Sequence, residues 1–254
     1  MELGLAGKVV LVTGASTAIG RATALAFAEE KAHVAVGYHS NARAAAATVA
    51  LAEQRGARAI PWRLDLGDAK SLEDAVRHAR RELGPVDVLV NNAVQWPDWP
   101  EPGETFETAP VERFTTSVNA NLVGPYLLAR AVVGDMRAKG WGRVVHVSTG
   151  LVEDGFPGNV SYIAAKSGLH GLTRVMSRQL ASTGILTNVV MPGFTPADKP
   201  MPPEVVETAR AAAATGDVTH PEDVARMIVF LCSTANTNTT GESIRTDGHF
   251  LTPA

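Results

Sequence analysis

The stretch Lys8-Val9-Val10-Leu11-Val12-Thr13-Gly14-Ala15-Ser16-Thr17-Ala18-Ile19-Gly20 runs from an apolar, β-branched segment through a glycine turn into helical spacing over Ala18–Lys31. A strand that feeds a helix this way aims free backbone N–H groups and the positive end of the helix dipole at one point, a seat for an anion such as phosphate. Gly14 permits the tight turn, and Gly20 lets helix and strand approach closely. Gly14, Ser16, Thr17, Ile19 and Gly20 are therefore candidate phosphate-binding residues. Alone, such a turn is equally a plain strand–helix connection; its place at the head of a βαβ unit favours the phosphate reading.

The same alternation continues to the end of the chain. Apolar runs at His33–Gly37, Arg58–Leu64, Val86–Val90, Arg143–Ser148 and Ile185–Met191 read as strands. Asn41–Arg55, Asp68–Leu83, and two long stretches at Val111–Lys139 and Ser161–Ser182 read as helices. Thr219 and Glu222 read as a capping box opening a helix to Leu231, Glu204–Ala214 as a weak Ala-rich helix, and Glu242–Thr246 as a last strand. Strands without polar alternation are buried on both faces, as in a parallel sheet covered by crossover helices. The expectation is one doubly wound α/β domain over residues 1–254, a central parallel sheet flanked by helices. The 254 residues carry 23 Lys plus Arg against 26 Asp plus Glu, a net charge of −3 with no like-charge block, so neither nucleic acid nor a membrane surface is an expected partner. The single cysteine, Cys232, excludes a disulfide framework and a cysteine-built zinc site, and no metal is expected. No apolar run reaches the ~18 residues of a membrane span, and the first residues lack a signal-peptide pattern, so a cytoplasmic location is expected.

The second strand ends Gly37-Tyr38-His39-Ser40-Asn41, with no Asp or Glu between Val34 and Asn41. A dinucleotide-binding unit that selects NAD places a carboxylate there for the ribose hydroxyls. Tyr38, His39, Ser40, Asn41 and Arg43 can instead surround a 2′-phosphate with donors, which favours NADP(H); otherwise they are solvated loop residues.

Tyr162 and Lys166 stand at i and i+4 in a helical pattern and share a face. Carbonyl reduction needs a proton donor beside the ketone oxygen. Moving a phenol from about 10 to about 7.5 takes ~3.4 kcal/mol. A positive charge ~5 Å away supplies ~3.3 kcal/mol at an effective dielectric constant of ~20. One lysine is of the right magnitude, although the pair alone would also fit a packed tyrosine and a snorkelling lysine.

Several motifs occur in order: TGASTAIG from Thr13, Asp65-Leu66, Asn91-Asn92-Ala93, Asn121-Leu122-Val123-Gly124, Ser148-Thr149, Tyr162-x-x-x-Lys166, Pro192-Gly193 and Thr240-Gly241. In this order they resemble the short-chain dehydrogenase/reductase family over essentially the whole chain, with 3-oxoacyl-carrier-protein reductases as the nearest match. The resemblance implies a Rossmann-like fold and NADP(H) chemistry on a small-molecule ketone. It makes Tyr162 the catalytic acid/base, with Lys166 lowering its pKa and holding the nicotinamide ribose. Asn121 would help hold a water relay to Lys166, and Thr149, thirteen residues before Tyr162, would orient the substrate in place of Ser148. Asp65 and Leu66 would border the adenine, Asn92 and Ala93 its ribose, and Pro192, Gly193 and Thr195 the nicotinamide. Three positions depart from the pattern: Ala18 and Val94 where glycines are usual, and Thr149 where serine is. A positive φ at Ala18 would cost ~1–2 kcal/mol; a negative one would favour the helix start.

The substrate pocket is expected from Val94–Gly103, Leu151–Phe156, Met191 and a lid at Phe194–Ala214. Trp96, Trp99, Phe156 and Phe194 suit a flat or bulky apolar substrate; the tryptophans can equally just pin their loop. The carrier-docking positions implied by the resemblance, Gly140 and Thr183, are not basic. This points away from fatty-acid synthesis and toward a ketoreductase acting on an aromatic, angucycline-type polyketide. The alternatives are a 3-oxoacyl-carrier-protein reductase, an NAD-dependent alcohol dehydrogenase, and a non-catalytic nucleotide-sensing relative. The long helices at Val111–Lys139 and Ser161–Ser182 imply, by the same resemblance, a homotetramer, with Ile244–Leu251 as a second interface.

Overall fold

The computed structural model describes residues 2–96, 98–155, 160–196, 198 and 201–249. Along the chain come β1 (Val9–Val12), α1 (Ala18–Glu29), β2 (His33–Tyr38), α2 (Ala42–Gln54), β3 (Ala59–Arg63), α3 (Ala69–Leu83) and β4 (Val88–Asn91). These are followed by α4 (Val111–Val118), a π-helical turn (Asn119–Val123), α5 (Gly124–Lys139), β5 (Gly142–Val147), α6 (Leu151–Asp154) and α7 (Val160–Leu180). The series closes with β6 (Ile185–Pro192), α8 (Pro203–Ala212), α9 (Pro221–Cys232) and β7 (Ser243–Thr246). The strands form one parallel sheet in the order β3-β2-β1-β4-β5-β6-β7, the expected doubly wound arrangement.

Successive strand residues face opposite sides, so the continuous apolar runs feed two cores. Val10 and Val12 pack with Phe27 of α1 and Ile228 of α9. Val9 and Leu11 pack with Leu72 of α3, Leu128 of α5 and Met176 of α7. Pro61 lies on the edge strand β3, where proline is tolerated in a sheet. Strand order reverses between β1 and β4, and there the carboxyl ends of the strands open a crevice.

Two local expectations are corrected. The stretch Val111–Lys139 is not one regular helix: its register widens over Asn119–Val123. Tertiary bonds hold the widened turn. The Asn119 amide donates to the Gly67 carbonyl at 3.2 Å, the Asn121 amide reaches Gln95, and a Cβ on Gly124 would stand 2.6 Å from the Leu66 carbonyl oxygen. Such bulges cluster at functional sites. The cap of α9 is set one residue later than Thr219 and Glu222 suggest. His220 is the N-cap, and its N–H donates to the Asp223 carboxylate at 3.3 Å. Pro221 at the first helical position, where its missing N–H costs nothing, fixes that register.

Beneath the crevice, His146 on β5 lies opposite Asn91 on β4, with 3.2 Å between the Asn91 amide nitrogen and His146 Nδ1. Burial, with a smaller contribution from the Lys166 charge, pulls the His146 pKa down to about 3 from 6.5. The unfolded chain therefore binds a proton between these values that the folded chain refuses. Stability is present above pH 6.5 and is lost as pH falls toward about 3. Urea unfolding at stepped pH is expected to show this loss flattened in His146→Asn, which keeps a polar partner for Asn91 but cannot titrate.

Candidate active site

Thr13, at the end of β1, knots the crevice together. Its hydroxyl accepts the N–H groups of Asn92 and Ala93, both at 2.9 Å, and Asn92 Nδ2 donates to the Thr13 and Gly14 carbonyls at 2.9 and 3.3 Å. The Asn92 side chain thus serves as a strut between β1 and β4, and a ribose contact there would fall to its main chain. Gly14 takes φ +65°, and a Cβ on Gly20 would stand 2.1 Å from the Gly14 carbonyl oxygen. Gly14 is required by conformation and space, Gly20 by space. Thr17 is the N-cap of α1, but no side-chain cap bond engages its hydroxyl.

Ala18 takes φ +45°, the strained alternative. Its N–H donates to Asp198 Oδ2 at 3.3 Å, and Arg21 Nη2 lies 3.1 Å from Asp198 Oδ1. A carboxylate thus rests on the amino end of α1, where the turn was expected to receive phosphate. The turn, the close glycines and the resident anion fit a dinucleotide's pyrophosphate. No sequence signal links Asp198 to this place, because the partners meet only through the fold.

At the end of β2, His39 and Ser40 are exposed. Asn41 is partly committed, since its Oδ1 caps α2 by accepting from Ala44 N at 3.0 Å. Asp65 brings a carboxylate to the neighbourhood from the end of β3, 3.5 Å from His39 Nε2. Leu66 follows it at the rim and is half-buried. Ile19 is half-buried beside the core, and Ser16 is half-buried in the turn.

Across the crevice, α7 presents Tyr162 and Lys166, with 6 % and 3 % of their surfaces exposed. The Thr149 side chain lies beside the Tyr162 phenol and favours its ionised form. Lys166 Nζ donates to the Val147 carbonyl at 2.8 Å and lies 5.8 Å from the Tyr162 ring centroid. Ser148 faces elsewhere. Its hydroxyl is 2.9 Å from His170 Nε2, and His170 Nδ1 is 2.9 Å from the Ser243 hydroxyl, tying β5 through α7 to β7.

The expected net lowering of the phenol pKa is corrected. Burial pushes Tyr162 up to about 12, the Thr149 side chain acting in the opposite direction. Burial also pulls Lys166 down to about 8. The surface-like dielectric of the sequence argument understates the cost of charging groups this enclosed.

Asn121 is fully buried, and its side-chain amide is spent. Oδ1 accepts from Gln95 N at 2.9 Å, while Nδ2 donates to the Gln95 carbonyl at 2.8 Å and the Ser117 hydroxyl at 3.2 Å. This grip fixes the loop after β4. The next residue, Trp96, stacks on the Tyr162 ring with centroids 5.0 Å apart and planes at 29°. Pro192 ends β6 at the same crevice, Gly193 follows it, and the Thr195 hydroxyl donates to the Gly193 carbonyl at 3.1 Å. Phe156 of the expected pocket, Ala197, Lys199 and Pro200 of the expected lid, and 250–251 of the expected interface lie outside the described residues.

A family model described as short chain dehydrogenase matches residues 8–204. The 3-oxoacyl-[acyl-carrier-protein] reductase FabG of Thermotoga maritima is 35 % identical over 250 residues, covering 96 % of this chain and 98 % of its own. The solved structure of LugOII, a promiscuous reductase described as catalysing keto-reduction at C1 during lugdunomycin biosynthesis, is 35 % identical with a TM-score of 0.88 and covers 96 % and 97 % of the two chains. A blue fluorescent protein from a metagenomic library, solved in complex with NADPH, is 34 % identical with a TM-score of 0.89 and covers 98 % and 100 %.

An exposed ion pair of the Arg21–Asp198 kind contributes ~0.2–1 kcal/mol. Asp198→Asn is therefore expected to tighten ADP-ribose binding about two- to fivefold, measured by titration calorimetry. Unchanged or weaker binding would show that Asp198 does not compete for this seat.

Proposed function

Since the chain belongs to the short-chain dehydrogenase family, we propose that this oxidoreductase is an NADPH-dependent ketoreductase forming a secondary alcohol on a bulky, aromatic polyketide-type substrate. The observation that carries the reading is the burial of Tyr162 and Lys166 together on α7, with Lys166 Nζ 5.8 Å from the centre of the Tyr162 ring.

The nicotinamide cofactor supplies the hydride to the carbonyl carbon. Gly14, Ser16, Thr17, Ile19 and Gly20 would hold its pyrophosphate, Asp65, Leu66, Asn92 and Ala93 its adenosine, and Pro192, Gly193, Thr195, Tyr162 and Lys166 its nicotinamide end. Thr149 and Tyr162 would bind the ketone oxygen. A phenol held near 12 is protonated at neutral pH, the state a proton donor requires. As the carbonyl oxygen takes the Tyr162 proton, negative charge forms on the phenol oxygen, and the Lys166 ammonium stabilises it. Replenishment by a water relay at Asn121 would use the main chain of the π turn, because both ends of the side-chain amide are engaged. The intact set of Asn121, Tyr162 and Lys166 argues against a non-catalytic nucleotide sensor.

The absence of a carboxylate on β2 and the exposed donors His39, Ser40 and Arg43 support NADP(H) over NAD(H). The likeness to LugOII and the non-basic Gly140 and Thr183 support a polyketide-type substrate. The likeness to the Thermotoga reductase favours a second reading, a 3-oxoacyl-carrier-protein reductase. Exposed Phe114, Tyr126 and Val175 on α4, α5 and α7 support a homotetramer built through those helices. A cytoplasmic location completes the reading.

Ketone panels assayed with both cofactors test it. kcat/KM is expected to be higher with NADPH, and equal values or an NADH preference would sink that assignment. Faster turnover of carrier-bound 3-oxoacyl chains than of aromatic ketones would favour the second reading. Tyr162→Phe is expected to abolish nearly all turnover while dinucleotide affinity stays within about twofold. Thr149→Ser should keep activity and Thr149→Val should lose it, because only a hydroxyl can bind the ketone oxygen.

A further inference from the structure

Trp96 is held unlike the other exposed aromatic residues at the mouth of the crevice. Its neighbour Gln95 is gripped at both its N–H and its carbonyl by one buried amide, that of Asn121. Trp96 therefore leaves the loop from a fixed point, and one face of its indole lies on the Tyr162 ring. Yet 65 % of Trp96 is exposed, so the stack covers only part of the side chain and leaves indole surface open at the crevice. Trp99, 67 % exposed, lies three residues further along the same loop. An aromatic surface stacked beside a proton donor is suited to binding a flat ring.

Resting on the ketoreductase reading above, we propose that Trp96 is a specificity-determining residue. Its indole is the platform against which a planar aromatic ketone lies while the carbonyl oxygen reaches Tyr162 and Thr149. A ring that bonds at the phenol hydroxyl projects beyond the edge of the Tyr162 ring, and the indole stacked on that ring borders the same space. Aromatic pairs in offset geometry gain ~0.5–1.5 kcal/mol beyond the area they bury. A saturated ketone of equal size buries comparable surface without that gain. The platform therefore discriminates by planarity and π character, and size alone does not satisfy it. A residue that merely steadied Tyr162 would affect every ketone alike.

The test compares 1-tetralone with 1-decalone, which share a bicyclic outline and differ in aromaticity. Trp96→Phe keeps an aromatic face, while Trp96→Leu keeps apolar bulk without one. In the NADPH-loaded enzyme, Trp96→Leu is expected to lower the tetralone-to-decalone ratio of kcat/KM by about three- to tenfold, chiefly through KM. Trp96→Phe should hold the ratio within about twofold, and NADPH affinity should be unchanged in both. An unchanged ratio in Trp96→Leu, or an equal fall for both ketones, overturns the platform. If the wild type turns over neither ketone, the ketoreductase reading fails on its own terms. Equilibrium dialysis of the two ketones against the NADPH-bound protein then decides the platform separately. A tetralone preference lost in Trp96→Leu sustains it, and equal binding of both ketones to the wild type overturns it.

Discussion

The contact on which the rest of the crevice depends is the approach of α1 to the first turn. A Cβ on Gly20 would stand 2.1 Å from the Gly14 carbonyl oxygen and 2.6 Å from the Asn92 amide nitrogen. Space for a hydrogen, and no more, lets the helix start directly under the strand end. It also lets Asn92 reach across to the Thr13 and Gly14 carbonyls. Through those bonds the amino end of α1 keeps a fixed relation to β4, and through β4 to β5 and the residues that follow it. Any larger residue at Gly20 would push the anion seat out of line with Thr149, Tyr162 and Lys166.

The second constraint is electrostatic. Lys166 is buried with little to compensate its charge: its Nζ donates to the Val147 carbonyl. Burial favours its neutral form and equally favours the neutral form of Tyr162, so the empty-handed pair resists charge separation. When negative charge develops on the phenol oxygen, each charge removes part of the penalty on the other. Attraction in a poorly screened site is large only at that moment, which is the differential stabilisation that catalysis needs. His146, held neutral below, adds no competing positive charge at neutral pH.

What was legible in the sequence was local. The turn, the i, i+4 relation of Tyr162 and Lys166, and the alternation of strands and helices each need only a short window. The choice of Thr149 over Ser148 rested on the motif spacing that the family resemblance implies, and Ser148 is engaged by His170 and by the Lys166 carbonyl. What escaped depended on distant partners. The π turn is held where Asn119, Asn121 and Gly124 meet loops 26 to 58 residues away in sequence. The phenol pKa was misjudged because a charge–charge estimate omits the burial of both groups. The shifted cap of α9 shows the converse: Pro221 was a strong local signal, and reading it as the middle of the box rather than the first helical residue moved the cap by one.

Ala18 joins the local and the distant. An alanine at φ +45° costs ~1–2 kcal/mol against a right-handed conformation. A glycine would adopt it freely, so the strain must be offset by something the conformation achieves. The candidate is the direction of the Ala18 N–H, which meets an anionic oxygen of Asp198. An exposed contact to a charged group contributes ~0.2–1 kcal/mol, which offsets part of the strain. Arg21, one helical turn on, adds a second donor to the same carboxylate. The Asp198 carboxylate thus takes donors from the turn and from the first turn of α1 together.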